Sequence, residues 1–283
     1  MAGAAEKVLG KHMTDRPEGE KDAYKSIYAT FNSPLSRTLR QEAYGEDIGQ
    51  HSWVTADELR GDIARLRLSS SHRLLDLGCG PGGPLCFVVR LIGCRGTGLE
   101  LSDAAVTAAR ERAASQGLGH LATFQQADLD AAISLDDGSF DAVMSLDVVL
   151  HLRDREVLFR EVARVLTPGG RLLFTDAGVL TGSISSDEVA ARSAHGRTQI
   201  APPGFNENAL ERAGLRLLES EDRTASVAKN AEGRLRARLA HRAELERDEG
   251  TASFDRQQRY LECVVSLSQR NVLSRMMYLA ERR

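Results

Sequence analysis

Two carboxylates, a run of glycines and one histidine mark the chemistry available to this chain. Asp76 stands two residues before Gly78 in Leu74-Leu75-Asp76-Leu77-Gly78-Cys79-Gly80-Pro81-Gly82-Gly83-Pro84. An apolar strand runs into a glycine-dense turn, whose backbone can bend tightly and approach a ligand closely. Such a turn could hold a dinucleotide pyrophosphate at the N-terminus of the following helix. A fixed carboxylate at Asp76 opposes that reading, because it would repel the phosphates. The same carboxylate suits a ligand bearing an ammonium and a sulfonium, which is S-adenosylmethionine. A lone glycine-rich loop also has purely structural readings, so other residues must decide.

Glu100 closes a second strand signal, 22 residues after Gly78, where an acid can accept both hydroxyls of a ribose. Leu101 beside it could pack on an adenine face. Asp128, followed by Leu129 after a third strand signal, could accept from an adenine amino group or cap a loop. Cys79 reads as steric, a small residue that fits the turn. The fourth strand leaves through Ser145-Leu146-Asp147-Val148-Val149-Leu150-His151. With an unperturbed pKa near ~6.5, His151 is a natural general base for an amine or a hydroxyl. It could equally be a structural histidine at a helix start. Asp147 lies four residues earlier, on the same side if the chain turns helically there. Asp176, after a fifth strand signal, could orient His151, contact substrate or cap a turn.

Positioning these groups requires a sheet. Strand signals at His72–Leu77, Gly96–Leu101, Ala122–Gln126, Phe140–Ser145 and Arg171–Thr175 alternate with helix signals at 83–92, 104–116 and 153–166. That alternation predicts a parallel sheet. Thr167-Pro168-Gly169-Gly170 stops the last of these helices. Upstream, Thr55-x-x-Glu58 forms a capping box before Leu59–Leu66. Pro202-Pro203-Gly204 precedes a helix at 206–213. Leu215–Glu219 and Leu273–Ala280 read as strands bracketing 224–270, where Phe254, Leu261, Val264 and Val265 recur at helical spacing. The outer helices either cover sheet surface or cap a pocket at the C-terminal ends of the strands.

The 283 residues suffice for one large α/β domain with a cap. A composition of 42% hydrophobic and 27% charged residues reads as globular, with no apolar run of membrane-spanning length. A net charge of −3 gives no case for nucleic acid, which needs a concentrated basic face. The start of the chain has no apolar signal region, so a cytoplasmic location and no membrane partner are expected. Cys79, Cys86, Cys94 and Cys263 form no C-x-x-C pair, and neither a metal site nor a disulfide is expected.

Asp76, the glycine loop, Glu100, Asp128 and the Thr-Pro-Gly-Gly turn, in this order over roughly 50–181, resemble the class I S-adenosylmethionine-dependent methyltransferases. The resemblance implies a Rossmann-like α/β fold with a seven-stranded sheet, six strands parallel and one antiparallel, and helical cap insertions. It implies S-adenosyl-L-methionine as cofactor. Asp76, Gly78, Cys79, Gly80, Gly82, Glu100, Leu101, Asp128, Leu129 and Ser145 then fall to the cofactor. Gln50, Ser52 and Trp53 lie in a lid that could reach its methionine end.

Asp147-x-x-Leu150-His151, Phe174-Thr175-Asp176 and Tyr44-Gly45-Glu46-Asp47-Ile48 resemble the sarcosine/dimethylglycine and phosphoethanolamine N-methyltransferases. In related enzymes an N-terminal tyrosine latches onto the histidine after strand four, and Tyr44–His151 is the matching pair. His151, Asp147, Asp176 and Tyr44 are thus the catalytic candidates. Natural-product O-methyltransferases carry a similar histidine and aspartate, so the acceptor stays open between amine, hydroxyl and carbon, with an amine first. A pericyclase or other protein that binds the cofactor without transferring methyl is the rival class. The expected partner is a small-molecule acceptor, since no basic stripe and no N-P-P-Y motif follows strand four. Arg192, His195 and Arg197 are the nearest groups for an anionic acceptor, or are solvated loop charges. Arg234, Arg236, Arg238 and Arg242, interleaved with Glu232, Glu244 and Glu246, read as a solvated face. The expected organisation is a flexible leader at 1–20, a helical lid at 21–70 and the cofactor-binding core at 71–181. A substrate-cap segment with the sixth strand follows at 182–223, a helical cap insertion at 224–270 and a last strand at 271–283.

Overall fold

Leu74, Leu75 and Leu77 are fully buried because both faces of the strand that carries them are covered. In the computed structural model, which describes residues 28, 30–194 and 196–283, that strand is β1 (Arg73–Leu77). The leader expected at 1–20, most of the start of the lid and His195 lie outside the described residues. β1 pairs in parallel with β2 (Arg95–Glu100) and β4 (Phe140–Leu146). β3 (Ala122–Gln126) adds to β2, and β5 (Leu166–Leu180) to β4, again in parallel. β7 (Leu273–Arg282) runs antiparallel between β5 and β6 (Leu215–Asp222). The order β3-β2-β1-β4-β5-β7-β6 gives seven strands with the last reversed, as the resemblance implied.

Helices α1 (Pro34–Tyr44) and α2 (Ala56–Leu66) precede the sheet, and α3 (Gly83–Ile92) and α4 (Asp103–Ser115) follow β1 and β2. Ile63, Leu85, Val88, Phe124 and Met144 pack one sheet face. The opposite face takes α5 (Arg155–Val165) and α7 (Phe205–Arg212), with Phe159 and Tyr278 flanking Phe174 at 5.0 and 4.8 Å between ring centroids. Between β5 and α7 lies α6 (Ser186–Arg192). Three helices join β6 to β7: α8 (Thr224–Ala240), α9 (Arg242–Glu249) and α10 (Thr251–Gln269). Gly233 lets α8 cross α1 closely, since a Cβ there would meet the Ala43 carbonyl oxygen at 2.5 Å. None of the described helices is long and apolar enough to cross a membrane.

Among the strands that run past their expected ends, β5 does so most, and the difference matters for the site. β5 begins at Leu166 and continues to Leu180, well beyond Arg171–Thr175. Its register jumps from Phe140↔Leu166 to Ala142↔Arg171, so 167–170 bulge out of the ladder. Its far half pairs with β7, which puts Asp176 opposite Met276 inside the strand. The chain leaves β1 toward β2 and β3, then returns to β4 on the other side. That reversal opens a crevice beyond the ends of β1 and β4, where ligands of open α/β sheets bind.

Candidate active site

The turn after β1 is tied down before it meets any ligand. Gly78 and Cys79 N–H both donate to the Leu99 carbonyl, at 2.8 and 3.1 Å. Gly78 and Gly80 have φ of 72° and 51°, a backbone that favours glycine. A Cβ on Gly78 would come within 2.5 Å of the Val148 side chain. Glu100 accepts from Gly80 N–H at 3.0 Å and from Ser102 N–H at 2.9 Å, so the β2 carboxylate is locked to the loop. Above it lies a cavity of about 610 Å³, a size typical of ligand sites. Asp76, Gly78, Cys79, Gly80, Glu100, Leu101 and Leu129 line its core side.

Asp76 is 2% exposed, and no arginine or lysine pairs with it among the described residues. Burial, then the neighbouring Glu100 charge, pushes its carboxyl up to about 8. A buried acid without a cation, beside a locked glycine loop, fits the ammonium-bearing end of S-adenosylmethionine. Burial also lifts the Cys79 thiol well above its ordinary value, which makes it inert wall. Three expected cofactor residues do not line the cavity. Gly82 makes room for packing, because a Cβ would meet Ala109 and Phe124 at 2.8 Å. Asp128 is exposed, and its Oδ1 accepts from Asp130 N–H at 3.0 Å. Ser145 Oγ donates to the Leu77 carbonyl at 3.0 Å and ties β4 to β1.

Across the cavity stand Trp53, Asp147, His151, Arg192, Arg234 and Tyr260. His151 ends the 3-10 turn Val149–His151, and its Nδ1 lies 2.6 Å from the Arg197 carbonyl oxygen. A carbonyl only accepts, so Nδ1 carries the proton and Nε2 the lone pair. Burial lowers the His151 pKa; the Arg197 bond opposes this, and the Arg192 charge lowers it further. Asp147 has a left-handed φ of 60°. Its carboxylate accepts from Trp53 N–H at 2.9 Å, Thr175 Oγ1 at 2.8 Å and Arg275 Nε at 2.8 Å. Burial raises the Asp147 pKa, but Arg275, Trp53 and Thr175 together hold it below the ordinary value.

Several sequence expectations change here. Tyr44 does not reach His151: its hydroxyl donates to the Ser52 carbonyl at 2.9 Å, and burial raises its pKa. Asp176 is fully buried and accepts from Arg155 at 2.6 Å and Asn206 at 2.8 Å, so it does not line the cavity. The extension of β5 along β7 carries it behind the wall. Gln50 is engaged with Ile48 N–H and the Glu46 carbonyl. Arg234 does not lie on a solvated face. Its guanidinium sits 4.5 Å from the Trp53 ring centroid and donates to the His51 carbonyl at 2.7 Å. Arg192 is 6% exposed and donates to Tyr260 Oη at 3.1 Å, with no carboxylate paired to it among the described residues. The sequence reading missed Arg275, Arg155, His51 and Tyr260, which no local motif announces.

Comparison with known proteins agrees with this fold. The methyltransferase-domain family matches residues 75–174. The chain is 36% identical over 164 residues to the methyltransferase GfsG of Streptomyces halstedii, covering 56% of this chain and 58% of that one. It is 31% identical to a sarcosine/dimethylglycine N-methyltransferase of Halorhodospira halochloris, covering 70% and 74% of the two chains. The first two relatives matched are spanned over only 58% and 31% of their lengths. Among solved structures, a putative sarcosine dimethylglycine methyltransferase of Galdieria sulphuraria shares the fold. Its TM-score is 0.73 at 22% identity, over 80% of this chain and 83% of that one.

Proposed function

The chain belongs to the S-adenosylmethionine-dependent methyltransferases, and on that premise we propose that it methylates the amine of a small molecule that also bears an acidic group. The observation that carries this reading is Arg192. A buried guanidinium without a carboxylate leaves a charge that a ligand anion can compensate. Arg192 lines the cavity, and its charge is felt at His151. Asp147, a carboxylate of the cavity lining, is engaged with Arg275 and is not available to hold an ammonium. The amine is therefore received neutral.

When bound, the cofactor supplies a methyl carbon already activated by its sulfonium. Asp76 and the glycine loop bind its amino-acid end, and Glu100 with Leu101 binds its ribose and adenine. Trp53 and Ser52 exclude water from the lid side. His151 Nε2 takes the proton of the nucleophile, while the Arg197 carbonyl holds Nδ1–H and fixes the ring. Burial keeps the imidazole neutral at physiological pH, which a base requires. Holding the acceptor in line with the methyl carbon can contribute up to ~7–11 kcal/mol.

The test supplies isotopically labelled S-adenosylmethionine with a panel of small amines with and without a carboxylate or phosphate, and matching hydroxyl compounds. Mass spectrometry should find label on nitrogen of acid-bearing members. Label on oxygen would replace the amine by a hydroxyl. No label anywhere, with cofactor binding confirmed on the same sample, would favour a protein that binds without transferring.

A further inference from the structure

A single buried arginine joins the lid, the sheet and the cavity wall. Arg275, on β7, is 1% exposed and donates to three groups from three parts of the chain. Its Nη1 reaches Glu58 of α2 at 2.9 Å, its Nε reaches Asp147 at 2.8 Å, and its Nη2 reaches Thr175 at 3.4 Å. Asp147 in turn grips Trp53 N–H at 2.9 Å. From the other side, Asn230 of α8 donates to the Trp53 carbonyl at 2.7 Å, and Arg234 covers the indole. The wall at 51–53 is thus a main-chain strap held between core and cap. Its core-side grip is one carboxylate in a left-handed backbone conformation, aimed by Arg275. Without that guanidinium, Asp147 has no cation paired to it among the described residues, and the Thr175 hydroxyl alone is left to orient its carboxylate toward the strap.

We propose that Arg275 is a positioning residue for methyl transfer: it acts through Asp147 to seat Trp53 as the lid wall of the cavity. Arg275 itself is not among the residues lining that cavity. A matched control exists in the same fold. Arg223, also buried, makes a bidentate pair with Asp62 at 2.8 and 2.6 Å, one turn beyond Glu58 on α2. It anchors the same helix, but among the described residues its side chain hydrogen-bonds to Asp62 and Glu221 and not to Asp147 or Trp53.

The experiment uses the full chain and its one tryptophan, Trp53, as reporter. Arg275→Gln is expected to shift Trp53 emission to the red, with or without S-adenosylhomocysteine. It is expected to lower kcat about a hundredfold, the scale of a small misplacement of reacting groups. Arg223→Gln is expected to lower Tm while leaving emission and kcat per folded molecule at wild-type values. Where Arg275→Gln does not fold, Arg275→Lys keeps the charge, loses the three-way fork, and is expected to show the same red shift in a folded protein. Wild-type emission and turnover in a folded Arg275 variant would overturn the proposal. So would equal changes in the Arg223 variant, which would make both arginines merely structural. Only the kcat measurement rests on the proposed function; the emission readout stands if no acceptor is methylated.

Discussion

Cofactor binding should release a proton from Asp76. With its carboxyl at about 8, roughly nine-tenths of Asp76 is protonated at pH 7 in the unliganded protein. A ligand ammonium beside it favours the charged form, so binding expels that proton. The same shift sets how the unliganded fold responds to pH. Its carboxyl is raised from 3.8 to about 8, so the folded state binds the proton more tightly than the unfolded chain. The contribution is fully present below pH 3.8 and is lost as pH rises toward 8. At about 1.36 kcal/mol per unit, the loss by pH 7 is about 4 kcal/mol. Asp76→Asn keeps the shape and removes the titration. The variant should be more stable than wild type at pH 7 without ligand, yet bind cofactor more weakly. Calorimetric titration with S-adenosylhomocysteine at pH 7, in two buffers of different ionisation enthalpy, should read about 0.9 proton released for wild type. Asp76→Asn should release none. Between pH 6 and 7, wild-type affinity should tighten nearly tenfold. Identical heats in both buffers, or affinity flat with pH, would refute the reasoning.

Other expectations follow from the same geometry. His151→Gln should lower kcat at least ~100-fold while cofactor affinity stays near wild type, measured by single-turnover kinetics and calorimetry. Because burial holds the His151 pKa below 6.5, the neutral base persists under that pH, and the acid limb of kcat/KM should fall there. Arg192→Met should raise KM for an acid-bearing acceptor by ~30-fold or more, the scale of removing one partner of a buried charge pair. An acid-free analogue should be spared. Gly82→Ala forces a side chain into a backbone with φ of 74° and against Phe124 at 2.8 Å. Denaturant unfolding should show a loss of about 2–4 kcal/mol.

The parts of the site legible in the sequence are those where chemistry and chain are local. Asp76, Gly78 and Gly80 sit within five residues, and a strand entering a glycine turn has few other conformations. Glu100 was legible because a parallel neighbour brings the end of β2 beside the end of β1. His151 could be named from its place after β4. Its protonated nitrogen could not, because that depends on a carbonyl 46 residues away.

What the sequence by itself determined is the alternation of apolar strands and helices and the glycine-rich cofactor loop after the first strand. Each follows from periodicity and turn chemistry over a few residues. Tertiary structure decided where the charges went. Asp147 and Asp176 look alike in sequence, each near the end of an apolar strand. One meets Arg275, 128 residues away, at the cavity wall. The other is drawn behind the wall to Arg155, because β7 lengthens β5 past it. Arg192 and Arg234 look like surface charges until α6 and α8 fold over the crevice. A buried ion's partner depends on which distant segment packs against it, and hydrophobic packing of whole elements sets that.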